Sequence, residues 1–142
     1  MNLEHANMTV ASIDESVRFL SLVFPESRVR GGGAIHGDPE RGRWVHFGDD
    51  EHYIALQENL PHTARQDVTY ANDGINHLGF VVEGLDDIQA RLKAAGYEMT
   101  PVSVMTGHPY RRRAYFFDGN GVEWELVEYL SEVAGERNDY SA

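Results

Sequence analysis

The sequence predicts an α+β fold: two tandem βαβββ modules whose strands make a curved mixed sheet, a pair of half-barrels around a central cavity. Two internal matches and one alternation pattern predict it. Residues 3–20 read LEHANMTVASIDESVRFL and residues 75–92 read INHLGFVVEGLDDIQARL. Each has an apolar residue, a His two places later, a short alternating strand, an acidic turn and a helical pattern. Residues 42–58, GRWVHFGDDEHYIALQE, likewise match residues 112–128, RRAYFFDGNGVEWELVE. The first match sets His5 on His77, an offset of 72, and the second sets Ala55 on Glu125, an offset of 70. A duplication with one small loop change accounts for both.

The elements follow in order. Leu3 to Val10 alternates, with His5, Asn7 and Thr9 on one face and Ala6, Met8 and Val10 on the other, as a strand covered on one side requires. Ser12 opens a helix as N-cap, and Glu15 completes a capping box. Val17, Leu20, Ser21 and Phe24 continue its inner face, and Pro25 ends it. A strand at 28–35 is weakened by Gly31-Gly32-Gly33. Two strands, at 43–48 and 52–58, are joined by the turn Gly48-Asp49-Asp50-Glu51. In the second module a strand spans 75–83 and a helix runs from Leu85 to Ala95, with Gly96 as its C-terminal cap. Strands follow at 98–105, 112–118 and 122–129, the last two joined by Asp118-Gly119-Asn120-Gly121. Module one is thus 1–59, a polar connector 60–73, module two 74–130 and an irregular polar tail 131–142.

Composition bounds the function. The 142 residues suit one domain. Halves of this size form marginal cores alone, so packing on each other or on a second chain is expected. A formal net charge of −11 disfavours a phosphate backbone as partner, so no nucleic acid is expected. The absence of cysteine excludes disulfides and thiolate metal ligands. No apolar run reaches membrane-span length, and Glu4 and His5 do not read as a secretory leader. No membrane partner is expected, and the expected location is cytoplasmic.

His5, His77 and Glu125 fall on cavity-facing positions of three strands. A lone strand histidine commonly just hydrogen-bonds in a core. Two at duplicated positions, with a carboxylate on the same inner face, point to one divalent metal ion: Fe, Mn, Ni, Co or Zn. Such an ion would hold two substrate oxygens as a Lewis acid. Glu123 lies on the same face as a possible base or a rim residue. His36, His46, His52 and His62 have no such partners and read as surface or loop residues. Three consecutive arginines stand out in so acidic a chain. Arg111 and Arg113 share a strand face, where one of them could clamp a substrate carboxylate or phosphate, and Arg112 takes the other. Trp44, Phe47 and Tyr53 are candidates for the wall of the first module, with Tyr53 a substrate contact.

The patterns around His5 and His77, with DGNGVEWELVEY at 118–129, resemble the vicinal-oxygen-chelate superfamily. That group includes glyoxalase I, fosfomycin-modifying enzymes, extradiol dioxygenases, methylmalonyl-CoA epimerase and bleomycin-resistance proteins. The resemblance covers residues 3 to about 130. It implies His5, His77 and Glu125 as metal ligands. It also implies a small oxygenated organic substrate chelated through vicinal oxygens, and a homodimer. Glyoxalase-I-like members take a fourth ligand where this chain has Ala55. Gln57, two residues on, could serve only if the strand slipped. A three-ligand site looks more like the dioxygenases and the fosfomycin enzymes, and by position His108 and Tyr115 are candidates for the acid–base partners that the dioxygenases use. The expectation is a metal-dependent isomerase, lyase or dioxygenase. The alternative is a non-catalytic small-molecule binding protein of bleomycin-resistance type.

Overall fold

The computed structural model describes residues 3–64, 70, 73–100 and 107–141. The chain divides into two compact units, Met1–Asp67 and Val68–Ala142. Unit 1 runs β1 (His5–Thr9), α1 (Ile13–Val23), β2 (Arg28–Ala34), two single-turn 3-10 helices (Ile35–Gly37 and Pro39–Arg41), β3 (Gly42–Gly48) and β4 (Tyr53–Asn59). Its strands form one open sheet in the order β1-β4-β3-β2, with β1 parallel to β4 and the other pairs antiparallel. Unit 2 runs β5 (His77–Val81), α2 (Leu85–Ala94), β6 (Arg111–Phe117), β7 (Glu123–Tyr129) and α3 (Ala134–Arg137). Its sheet order is β5-β7-β6, with β5 parallel to β7. Two mixed sheets with few helices are the α+β two-module fold expected. Neither sheet closes into a barrel.

Each sheet buries one face under its helix. In α1 the buried side is Ile13, Ser16, Phe19, Leu20 and Val23, the spacing of one helical stripe. It covers Phe47, Ile54 and Leu56 of the sheet. In unit 2, Leu85, Ile88 and Leu92 of α2 join Ala114, Phe116, Trp124 and Leu126 in the core. Alternation then turns the odd-numbered residues of β6 and β7 to the uncovered face.

The helix starts are built alike. Ser12 Oγ accepts from the Glu15 N–H at 3.3 Å, the capping contact expected. Gly84, at φ 69°, has no side chain to cap α2. Glu128 takes over from β7, accepting from the N–H groups of Gly84 at 2.9 Å and Leu85 at 3.2 Å. Arg112 Nε donates to the same carboxylate at 2.7 Å, and its Nη1 reaches Asp86 at 3.0 Å. In unit 1, Glu58 accepts from the Ile13 N–H at 2.9 Å and from Arg43 at 3.1 Å. Arg43 also meets Asp14 at 3.0 Å. A strand Arg, the Glu opposite it and a first-turn Asp thus fasten each helix to its sheet.

Burial opposes ionisation of Glu128, but the Arg112 guanidinium and the two helix N–H groups outweigh it and hold the carboxyl below its ordinary value. The stability it lends is therefore complete above the ordinary value of 4.5 and is lost as pH falls through the lower folded value. Glu128→Gln is expected to lower the melting temperature at pH 7. It should also flatten the fall of stability below about pH 4.5, which thermal melts across pH would read.

The duplication is visible element by element, with one correction. From β1 to β5 the offset is 72, and from β4 to β7 it is 70, as the sequence matches give. From β3 to β6 it is 69, because five residues (118–122) join β6 to β7 where four (49–52) join β3 to β4. Carrying one offset across both strands therefore misaligned β6 by a residue, which in a strand means the opposite face. In the structure Arg112 corresponds to Arg43, Arg113 to Trp44 and Tyr115 to His46.

Of the strand expected at 98–105, Met99 forms an isolated bridge to Phe116 and the Thr100 N–H donates to the Tyr115 carbonyl at 2.9 Å. Residues 101–106 lie outside those described. Gly96 follows the end of α2 at φ 92°, as a left-handed C-terminal residue should. The tail is not wholly irregular. It carries α3, and Arg137 lies 5.0 Å over the Tyr129 ring. Among the described residues, no helix is long and apolar enough to cross a membrane.

Candidate functional site

The uncovered face of unit 2 gathers acids, an imidazole and two phenols. The pairing of β5, β7 and β6 sets His77 opposite Glu123, and Gly79 and Tyr115 opposite Glu125. His77 Nε2 lies 3.1 Å from Glu125 Oε2. Tyr115 donates its phenol to Glu125 Oε1 at 2.6 Å, and the Tyr115 ring stands edge-on to His77 at 5.5 Å. Arg113 Nη1 lies 3.9 Å from the same Glu125 oxygen. On the other side of the imidazole, Tyr70 Oη lies 3.1 Å from His77 Nδ1 and donates to Glu123 Oε2 at 3.1 Å. Glu123 is 6% exposed, so the rim position considered for it gives way to a buried one.

Burial, followed by the hydrogen bond to Glu125, pushes the Tyr115 phenol up to about 12. Partial desolvation of its hydroxyl and the hydrogen bond to Glu123 likewise raise Tyr70, whose side chain is otherwise exposed. Both phenols therefore stay protonated at neutral pH and act as donors toward carboxylates. Gly79 also shapes the site. A Cβ there would come within 3.3 Å of Glu125 Oε2, so the glycine leaves that oxygen uncrowded.

The uncovered face of unit 1 has a different character. His5, 39% exposed in its side chain, donates from Nδ1 to Glu4 Oε2 at 2.8 Å. Its ring stacks on Tyr53 at 4.7 Å. His46 follows Tyr53 at 4.4 Å, and Trp44 follows His46 at 4.7 Å. Burial, with His5 and Arg30 nearby, lowers the His46 pKa and keeps that imidazole neutral. Ala55 is buried on β4 opposite Asn7. The β1–β4 register is unbroken and puts Gln57 beside Thr9, where it donates to Asn59 at 2.7 Å. The strand has not slipped to present Gln57 in place of Ala55.

The structure thus brings His77, Tyr115, Glu123, Glu125 and Arg113 together in unit 2, and sets His5 beside Tyr53 in unit 1. Other candidates stand elsewhere. His108 donates from Nε2 to the Asp139 carbonyl at 2.6 Å and accepts at Nδ1 from the Tyr110 N–H at 3.2 Å, so one ring nitrogen holds the tail and the other the turn before β6. Arg111 lies 4.8 Å over the Tyr140 ring. Phe47 is buried toward α1 at 3% exposure, not on the wall. His46, read as a surface or loop residue, is a strand residue on the same face as Trp44. Its alternation with Trp44 was the available signal. Tyr70 gave none, since it sits in a polar connector.

Among the described residues, no three His, Asp or Glu side chains gather into a metal-holding group. Unit 2 supplies two of the three sequence-predicted ligands, and His5 stands at the corresponding position of unit 1.

Tandem modules that each open on a strand bearing a histidine on its uncovered face define a glyoxalase-like protein. A family model described as the Glyoxalase/Bleomycin resistance protein/Dioxygenase superfamily matches residues 2–126, and the chain belongs to that superfamily. Similar solved structures include the fosfomycin resistance protein FosX from Listeria monocytogenes, complexed with Mn(II) and sulfate. It is 22% identical, with 96% of each chain covered and a TM-score of 0.67. A glyoxylase/bleomycin resistance protein/dioxygenase domain from Frankia sp. EAN1pec is 23% identical, covering 96% of this chain and 97% of that one, with a TM-score of 0.72. FosX from Mesorhizobium loti is 21% identical, covering 96% and 95%, with a TM-score of 0.68. At these identities the likeness is one of fold. No curated protein matches the chain significantly.

Proposed function

We propose that this protein is a metal-dependent enzyme in which His5, His77 and Glu125 hold one divalent ion, and that its substrate is a small oxygenated organic molecule bound through two adjacent oxygens. One observation carries the reading. With Glu123 ionised, the Tyr70 proton goes to Glu123, and the Tyr70 oxygen accepts from His77 Nδ1–H. That leaves Nε2 as the ring atom 3.1 Å from Glu125 Oε2. A proton on Nε2 or a cation shared by the two atoms would each satisfy this spacing. Adjacent ligands on a metal with bonds of about 2.1 Å are themselves about 3 Å apart, so the spacing fits a shared ion. A carboxylate fixing the tautomer of a metal-bound histidine through an intervening group is the usual supporting arrangement. Mn(II) is bound by the FosX of L. monocytogenes, which supports a divalent metal here.

A bound ion would act as a Lewis acid toward the chelated oxygens. Tyr115, kept protonated, offers its hydroxyl beside the same carboxylate. Arg113 supplies positive charge at that edge. Glu123, buried and hydrogen-bonded only to a neutral phenol in the contacts described, is the candidate to accept a proton through Tyr70. The reaction class is proton transfer (isomerase or lyase) or oxygen insertion.

Metal analysis after incubation with Fe, Mn, Co, Ni or Zn should find about one ion per chain. Uptake of none of them would remove the reading and leave small-molecule sequestration. Oxygen consumption by the iron form with substrate identifies insertion chemistry, and its absence during turnover identifies proton transfer.

A further inference from the structure

Unit 1 carries a π-faced row that the proposed metal ligation does not use. The rings of Tyr53, His46 and Trp44 follow one another at 4.4 and 4.7 Å. Arg30 holds its guanidinium 4.8 Å over the Tyr53 ring. Its backbone position is unusual. Val29 pairs with Phe47 and Gly31 with His46, so Arg30 is the extra residue of a bulge, a device that re-aims a side chain. Arg28, Arg41 and Arg43 each pair with a carboxylate. Arg30 makes no such ion pair among the described residues, and Asp49 feels its charge only at longer range. Next to it, a Cβ on Gly31 would meet nothing within 4 Å. Open space therefore lies across from His46.

A polarised row of rings beside an uncommitted guanidinium has a definite complement. In the contacts described, His5 and Arg30 lie against Tyr53, and Tyr53 and Trp44 flank His46. Trp44, at the end of the row, is therefore the ring with a face left to take another flat π-system in offset stacking, and a guanidinium takes a carboxylate through two parallel hydrogen bonds. We propose that the Tyr53–His46–Trp44 row and Arg30 seat a planar conjugated anion, of which an aryl carboxylate is the simplest form. The proposal rests on the functional reading above in treating this face as the substrate side. The seat itself needs no metal.

The full chain, kept in chelator, tests it. Of its two tryptophans, Trp124 is fully buried in unit 2 while Trp44 ends the row, so quenching by a seated ring reads Trp44. Benzoate is expected to quench saturably, and to bind at least tenfold more tightly than benzamide or cyclohexanecarboxylate. Trp44→Phe should remove the signal. Arg30→Gln should erase the preference for benzoate over benzamide, and Gly31→Val, filling the open space, should weaken benzoate tenfold without changing the melting temperature. Equal binding of benzoate and benzamide, a preference that survives Arg30→Gln, or quenching that persists without Trp44 would each overturn the proposal. If Gly31→Val does not fold, Arg30→Gln still decides. A chain that takes up no metal yet keeps the benzoate preference would sink the metal reading and leave this one standing.

Discussion

His77→Ala is expected to weaken divalent-metal binding by roughly a hundredfold or more, with turnover lost in parallel. Supporting residues of a metal site typically contribute ten- to a hundredfold, and a ligand contributes more. Titration calorimetry with Mn(II) gives the comparison. Tyr70→Phe is the informative companion. It keeps the ring but removes the hydroxyl between His77 Nδ1 and Glu123, so it should cost only about ten- to a hundredfold. His77 is 28% exposed in its side chain, so its loss should move the melting temperature little. Unchanged metal affinity in His77→Ala, in a protein that still melts normally, would refute its assignment as a ligand.

Trp124→Ala is expected to destabilise the protein by about 3–5 kcal/mol, the cost of emptying a large aromatic site in a packed core. Trp124 is 0% exposed, with Phe80 at 5.8 Å. Total stabilities of such domains are about 5–15 kcal/mol, so this loss brings unit 2 close to unfolding at ordinary temperature. Val81, in the same sheet, is 64% exposed. Val81→Ala should stay within about 0.5 kcal/mol. Denaturant unfolding of both variants measures the contrast. Similar losses at the two positions would contradict the division of this sheet into a packed and an open face.

Much of this division was legible in the sequence. Period-two alternation placed Trp124 and Leu126 on one side and Glu123 and Glu125 on the other, and the capping signals placed α1. The His5–His77 match was legible because β1 and β5 follow their modules' start with the same spacing to the helix. What failed depended on information that alternation does not carry. A single additional residue in the 118–122 turn changed the correspondence of β6, and internal similarity alone does not say on which side of a turn an insertion falls. The alternation of His46 with Trp44 on β3 was readable, but Tyr53 becomes its neighbour only through the pairing of β3 with β4. Tyr70 acts across 53 residues on Glu123, and no local pattern records such a contact. His108 matched an expected position, yet its Nε2 is occupied by a tail whose polar sequence gave no sign of docking, and its Nδ1 by the Tyr110 N–H.

The Arg–Glu–Asp clasps at the two helix starts bear on how such a protein can change. Both Arg112 and Glu128 point away from the surface that bears Glu125, and Arg43 and Glu58 away from the one that bears His5. Anchorage and chemistry are therefore written on alternate letters of the same strands. Mutation can explore the reactive letters while the fastening letters hold the helices in place, which lets one scaffold acquire new substrates without first losing its shape.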